Sequence, residues 1–285
     1  MITGLVIPYP DTAMPAAPPQ SLFYREDGNP DGPPVLLIHA FPTSHALWEH
    51  QIEALGQKYR LIRPDLRGFG QSPVPEPPYS MEDFAADLIA LLDRLEIATV
   101  NYVGISMGGM IGQVLTLAYP ERVQSLALCM TTSAIPEDTP PEGDPAYYIC
   151  KRLFGRAADR AEAEGMEPIV AMCLDRWFTP AFQSSPQAQR VGEIVRRNSP
   201  KGYRGGVDAM SAFDVTTRLP EIRQPTLVMP GALDQGTPVS CSETIASQIP
   251  DASLHVVDNA RHIAIVEQPE TCNRHLLAHL NQHAS

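Results

Sequence analysis

The chain has 285 residues, of which 44% are hydrophobic and 19% are charged, and its formal net charge is −12. This length and apolar content predict a sizeable core in one large domain, with or without an insertion, and exclude a disordered polypeptide. The acidic balance argues against binding to nucleic acid, and no segment approaches the ~18 apolar residues that a membrane span requires.

The first hundred residues alternate predicted strands with predicted helices. Residues 1–20 are rich in proline and small residues, which is typical of an extended arm. Apolar runs and turn signals predict three strands and one helix, namely strands at 21–26, 35–39 and 60–65 and a helix at about 44–55. A second helix is predicted over 80–95, because Ser80 suits the N-cap position and acidic residues follow it closely.

A nucleophile elbow is predicted at Gly104-Ile105-Ser106-Met107-Gly108, which follows the apolar run 100–103. In the G-x-S-x-G pattern a strand turns sharply into a helix and leaves the serine exposed on a strained backbone. The glycines remove side chains that would collide in so tight a bend. The apolar pattern after Gly109 is helical, so the context matches the motif as well as the letters do.

The second half of the chain completes the alternation and contains one segment of different character. Strands are predicted at 123–130, 226–230 and 253–257, and a closing helix at 269–281. Alternating strands and helices predict an α/β fold with a mostly parallel sheet, built from residues 1–134 and 216–285. Residues 135–215 carry early prolines and then helical patterns at 149–164 and 169–177, which predict a helical cap over the carboxyl ends of the strands.

A base and an acid for the serine stand at the ends of the last two strands. A serine hydroxyl is a weak nucleophile until a base removes its proton. Asp234 follows the strand at 226–230, and His262 follows the strand at 253–257. The chain order Ser106, Asp234, His262 is that of hydrolases with this elbow, so we assign His262 as the general base and Asp234 as its orienting carboxylate.

Two backbone amides are expected to bind the oxyanion of an acyl-transfer reaction. One is the amide of Met107, the residue after the nucleophile, and the other belongs to the loop that follows the strand at 35–39. We assign the second donor to Phe41, because Pro42 has no N–H. The side chain of Phe41 either lines the pocket or packs in the core.

These motifs together resemble the α/β-hydrolase-fold enzymes over roughly residues 21–283, through His39-Ala40-Phe41-Pro42, the loop 65–72, the elbow and the two strand-end motifs. Within that superfamily, the stretches 104–113 and 177–182 resemble the 3-oxoadipate enol-lactonases, whose oxyanion loop usually reads Asn-Ser-Leu-Gly instead. The resemblance implies a serine hydrolase or carboxylesterase of a small ester or lactone that needs no cofactor. Carbon–carbon bond hydrolases of vinylogous diketones and non-enzymatic ligand receptors on the same fold remain alternatives.

Arg176 and Trp177 are candidate substrate-binding residues in the predicted cap. Arg176 would bind a substrate carboxylate and Trp177 would form an aromatic wall. The alternative for Arg176 is a solvated helix face beside Asp175, since long charged side chains are mostly exposed.

Cysteines and histidines predict neither disulfides nor a metal centre. The five cysteines are scattered with no C-x-x-C pair, which is typical of reduced thiols in a cytoplasmic protein. His275, His279 and His283 recur at four-residue intervals on a polar helix, and we interpret them as surface residues. No signal peptide is predicted, because no basic residue precedes the short apolar run at the N-terminus.

Overall fold

The computed structural model describes residues 18–140, 143 and 148–283. The extended arm expected over residues 1–20 therefore lies, for residues 1–17, outside the described part of the chain, and residues 18–20 have no regular secondary structure. Within the described residues, no helix is long and apolar enough to cross a bilayer.

A seven-stranded sheet forms the centre of the molecule, with strand order β1-β3-β2-β4-β5-β6-β7. Only β1 runs antiparallel, paired with β3, and the other neighbouring strands are parallel. The buried β2, β4 and β5 are apolar almost throughout, as expected for strands covered on both faces. The strands are Tyr24–Gly28, Pro34–Ile38, Arg60–Pro64, Val100–Ile105, Val123–Cys129, Thr226–Met229 and Ala252–Leu254.

Helices cover the sheet, which confirms the predicted α/β architecture. The first three are α1 (Ile52–Gly56), α2 (Met81–Arg94) and α3 (Met107–Ala118). Helix α3 packs on β4 and β5, and α2 packs on α3. The predicted N-cap of α2 at Ser80 is present. The Ser80 hydroxyl accepts a hydrogen bond from the Asp83 amide at 3.1 Å, and the Asp83 carboxylate accepts one from the Ser80 amide at 2.9 Å.

Four α-helices lie in the described residues between β5 and β6, where the sequence predicts a helical cap, and a 3-10 helix over Thr216–Glu221 leads into β6. Helix α4 packs on α7, and α5 packs on α6. The helices are α4 (Lys151–Glu164), α5 (Glu167–Trp177), α6 (Pro186–Arg196) and α7 (Pro200–Ser211). The limits 135 and 215 of a separate cap stay a prediction. The chain closes with α8 (Val239–Gln248), α9 (Ala264–Glu267) and α10 (Pro269–His283). On α10, His279 is only 7% exposed, so the expectation that it lies at the surface is wrong.

Three predicted element boundaries were wrong. The first strand spans 24–28 rather than 21–26, because its pairing with β3 continues to Gly28. The helix predicted at 44–55 begins as a 3-10 helix over His45–Gln51, where Asp65 accepts from the His45 amide and Arg63 donates to the His45 carbonyl. The last strand ends at Leu254, although the chain still runs beside β6 as far as Val257.

Candidate active site

Ser106 lies at the turn between β4 and α3 with φ 55° and ψ −118°. A positive φ is unfavourable for a residue with a side chain, and it marks the strained elbow that the motif predicts. The turn is possible because its flanking residues are small: a Cβ on Gly104 would lie 2.3 Å from the carbonyl oxygen of Gly108. The backbone amide of Ser106 donates to the Cys129 carbonyl at 2.9 Å, which holds the elbow to β5.

Ser106, His262 and Asp234 form one chain of hydrogen bonds. The Ser106 Oγ lies 2.9 Å from Nε2 of His262, and Nδ1 of His262 lies 2.7 Å from Oδ2 of Asp234. A carboxylate only accepts hydrogen bonds, so Nδ1 carries the proton and Nε2 is the acceptor for the serine hydroxyl. Ser106 directly follows β4, whereas Asp234 and His262 lie in the loops after β6 and β7, and all three side chains are almost completely buried.

The Asp234 carboxylate receives further donors from the residues that follow it. Oδ1 accepts from the amides of Gly236 at 2.8 Å and Thr237 at 3.1 Å, and Oδ2 accepts from the Thr237 hydroxyl at 2.7 Å. Burial on its own would raise the pKa of Asp234, but the nearby His262 and the hydrogen bonds from His262 and Thr237 outweigh it. The pKa of Asp234 therefore lies below its ordinary value, and the carboxylate is charged at neutral pH.

The two predicted oxyanion donors belong to segments that touch each other. A Cβ on Gly108, next to Met107 at the start of α3, would lie 2.3 Å from the Ile38 carbonyl oxygen at the end of β2. The helix start is thus packed against the loop that contains Phe41. Neither the Met107 amide nor the Phe41 amide has a hydrogen-bond partner among the described residues. Amides at a helix start and a neighbouring loop suit the binding of a developing negative charge.

A pocket opens from Ser106 towards the helices between β5 and β6, and its space, including the open mouth, is about 510 Å³. Most of its walls are apolar or aromatic. Phe41 both lines it and packs on Phe69, Phe154 and Tyr203, so its side chain serves pocket and core together. The lining residues are Phe41, Pro42, Ser106, Met110, Ile149, Phe154, Met172, Cys173, Arg176, Trp177, Tyr203, Met210, Asp234, Gly236 and His262.

Arg176 and Trp177 both line this pocket from the end of α5. Arg176 is only 8% exposed, so its alternative placement on a solvated helix face is wrong. Burial lowers the pKa of Arg176, an effect opposed by the nearby Cys173, Tyr203 and Asp234. A guanidinium keeps its proton in proteins, so the pocket contains a buried positive charge. The Trp177 ring stacks near that of His262, with ring centres 6.4 Å apart.

Glu267 joins the end of α5 to the loop that carries His262. Its Oε1 accepts from the amide and hydroxyl of Thr179 at 3.0 and 2.5 Å, and its Oε2 accepts from the Arg261 amide at 3.1 Å. The Ile263 amide also donates to the Trp177 carbonyl at 3.3 Å. The candidate substrate-binding residues and the candidate base are therefore fastened to each other.

Thr237 and Tyr203 are among the contributors to the site that were not predicted from the sequence. Thr237 follows Asp234 by three residues, a spacing at which a hydroxyl commonly bonds a preceding Asp in a turn, and that signal could have found it. Tyr203 comes from α7, whose packing over the pocket has no local signal. In the part of the chain that the structure describes, no three His, Cys, Asp or Glu side chains are grouped to bind a metal ion.

Known proteins share both the sequence pattern and the fold. A family model described as alpha/beta hydrolase fold matches residues 33–269. The chain is 32% identical over 255 residues to 3-oxoadipate enol-lactonase 2 of Acinetobacter baylyi, covering 89% of this chain and 90% of that protein. The enol-lactonase structure from Burkholderia xenovorans superposes with a TM-score of 0.83 at 29% identity, covering 91% and 96% of the two chains. A thermophilic esterase from Thermogutta terrifontis gives 0.84 at 29% identity, covering 96% and 100%.

Proposed function

We propose that this chain, which belongs to the alpha/beta hydrolase fold family, is a serine hydrolase that cleaves a small carboxylic ester or lactone through an acyl-enzyme on Ser106. The observation that carries the proposal is the continuous hydrogen-bonded chain from Ser106 through His262 to Asp234. The strained elbow and the two amides of Phe41 and Met107 support the same chemistry.

In the proposed mechanism, Ser106 Oγ attacks the carbonyl carbon while His262 Nε2 takes the hydroxyl proton. Asp234 holds the imidazole through Nδ1 and stabilises the imidazolium. The carbonyl oxygen becomes an oxyanion that the Phe41 and Met107 amides bind. The intermediate collapses by breaking the bond to the leaving oxygen, which receives the proton from His262. Water, deprotonated by His262, then cleaves the acyl-enzyme and restores the serine.

The buried charge of Arg176 favours a substrate that carries a carboxylate. The described walls of the pocket are mostly apolar, so an anionic group would gain most of its specific binding from the Arg176 guanidinium. The relatives named enol-lactonases favour a lactone within that class. A lactone derived from a dicarboxylic acid keeps one free carboxylate, which Arg176 would bind while Trp177 packs on the ring.

The first experiment compares wild type, Ser106→Ala and the exposed control Ser184→Ala in hydrolysis of p-nitrophenyl acetate. We expect Ser106→Ala to lose nearly all turnover and Ser184→Ala to keep it. Mass spectrometry after exposure to a phosphonate ester should find the adduct on Ser106. Retained turnover in Ser106→Ala would sink the proposal. Turnover of vinylogous diketones without any ester or lactone would favour a carbon–carbon bond hydrolase, and no turnover of any substrate would favour a receptor.

A pair of substrates of similar length tests Arg176. We expect Arg176→Met to lower kcat/KM for p-nitrophenyl hemisuccinate by about tenfold or more, because a buried charge-assisted hydrogen bond is lost. The value for p-nitrophenyl butyrate, which lacks the carboxylate, should change by less than about threefold. The exposed Arg197→Met is the matched control. Equal losses on both substrates would contradict the role of Arg176 in recognising a carboxylate.

A further inference from the structure

We propose that Thr43 is a positioning residue that aims the Phe41 amide at the reacting carbonyl. The inference rests on the proposed hydrolase function and concerns how the oxyanion site is built. Thr43 is not one of the residues that line the pocket, and it acts through the carbonyl of Ala40.

The Ala40 carbonyl oxygen accepts three hydrogen bonds in the buried turn after β2. The amide of Thr43 donates at 2.9 Å, and the Thr43 hydroxyl donates at 2.6 Å. Nδ1 of His39 lies 2.9 Å from the same oxygen. Thr43, Ala40 and His39 are completely buried, so water does not compete for this carbonyl. Its direction is therefore strongly fixed.

Fixing the Ala40 carbonyl also fixes the Phe41 amide, because the two belong to one peptide group. A trans peptide is planar, and its C=O and N–H point in opposite directions. The donors from Thr43 and His39 hold the C=O towards the interior of the turn. The Phe41 N–H is then directed away from them, on the side where Phe41 lines the pocket with Ser106.

The neighbouring groups keep this arrangement in place. Nε2 of His39 accepts from the Leu66 amide at 3.0 Å, so the ring is neutral and its proton is on Nδ1, facing Ala40. Burial lowers the pKa of His39 to about 4, which keeps this protonation state at neutral pH. On the other side of Phe41, the amide of Asn198 donates to the Pro42 carbonyl at 3.1 Å. The loop is held on both sides of the donor.

The test is Thr43→Val, which removes the hydroxyl and keeps both the shape and the backbone amide. Losing an oxyanion donor outright costs roughly 10²–10³-fold in kcat, and loosening one should cost about tenfold. We expect kcat for p-nitrophenyl acetate to fall by about tenfold while KM changes by less than about twofold, since the donor acts on the transition state. Thr43→Ser keeps the hydroxyl and should retain at least about half of wild-type kcat.

A trifluoromethyl ketone inhibitor separates positioning from general structural damage, because its adduct with Ser106 carries the oxyanion. Its affinity for Thr43→Val should fall by the same factor as kcat/KM, while the affinity for acetate, the product acid, stays unchanged. Unchanged kcat, a rise in KM alone, or unchanged inhibitor affinity would overturn the proposal. If Thr43→Val fails to fold, Thr43→Ala takes its place with the same readouts. A wild-type protein without Ser106-dependent turnover would refute the hydrolase function instead, so the two failures are distinguishable.

Discussion

Replacing Thr237 by valine should lower the stability of the protein much more than its turnover, because it removes one hydrogen bond to Asp234 and leaves the carboxylate in place. The Thr237 hydroxyl donates at 2.7 Å to Oδ2 of Asp234, the oxygen that also accepts from His262. Valine has nearly the same shape and no donor. A hydrogen bond to a charged group is worth roughly 1.5–3 kcal/mol, so the free energy of unfolding at pH 7 should fall by about that amount.

The effect on turnover should be smaller than the loss of the aspartate itself. Oδ1 of Asp234 keeps its two backbone donors, from Gly236 and Thr237, so the carboxylate stays directed at His262. We expect kcat/KM to fall by less than about tenfold, compared with the roughly 10⁴-fold loss when a triad aspartate becomes an amide. Thr237→Ser, which restores the donor, should recover both stability and turnover.

The sign of the pH dependence follows from the lowered pKa of Asp234. A carboxylate with a lowered pKa in the folded state stabilises the protein above its unfolded pKa, and this stabilisation is lost as the pH falls through the folded pKa. The difference between wild type and Thr237→Val should therefore persist from pH 7 to about pH 5, above the ordinary aspartate pKa, and shrink only below it. Urea unfolding followed by tryptophan fluorescence measures it. A difference under about 0.5 kcal/mol at pH 7, or an equal loss in Thr237→Ser, would refute the reasoning, since a charged hydrogen bond is worth more than that.

Three further predictions concern residues outside the proposed set of Ser106, His262 and Asp234. Burial and a neighbouring histidine lower the pKa of His279 to about 4, so the unfolded chain takes up this proton first as the pH falls. This group should cost up to about 3 kcal/mol of stability between pH 6.5 and 4, and in urea unfolding His279→Asn should show a correspondingly smaller acid loss; identical pH profiles would contradict it. Glu267→Gln should lower the free energy of unfolding by about 1–3 kcal/mol and also reduce kcat, because the new NH₂ group would face a backbone N–H donor on one side. Thermal unfolding and kinetics measure the two effects, and an unchanged melting temperature would contradict the role of Glu267 in joining α5 to the His262 loop. Gly108→Ala should abolish turnover or folding, since its Cβ would lie 2.3 Å from a carbonyl oxygen of β2, whereas Gly155→Ala on α4 meets nothing within 4 Å and should be neutral or stabilising by up to about 1 kcal/mol in the same assays.

The elbow could be predicted from the sequence because its constraints are local. A bend as tight as that at Ser106 requires glycines at fixed spacing, and parallel strands bring residues at their carboxyl ends to one edge. Asp234 and His262 were predicted on the same ground, since each lies in the loop that follows a strand of the sheet, β6 for Asp234 and β7 for His262.

The features that were not predicted depend on contacts between distant segments or on helix N-cap signals that were not used. Nothing near Thr43 in the sequence indicates that its hydroxyl orients a peptide group of the site. The hydrogen bond to Ala40 matters for the site only because α3 packs against the same loop. Helices α6 and α7 were not assigned individually, although Ser185-Pro186 and Ser199-Pro200 are N-cap signals with proline in the first turn.

The contacts between the end of α5 and the loop that carries His262 limit which segments of this fold can be exchanged with those of a relative. Glu267 and the backbone of Ile263 attach the end of α5 to the segment that carries His262, the proposed general base. The proposed substrate-binding residues at the end of α5 and the proposed base His262 therefore depend on each other for their positions. A chimera that exchanges the helices between β5 and β6 with those of a relative must also exchange residues 261–267. A chimera whose exchanged segment ends at β6 would place the new helices against residues 261–267 of the original protein, and the contacts of Glu267 and Ile263 with the end of α5 would not be preserved.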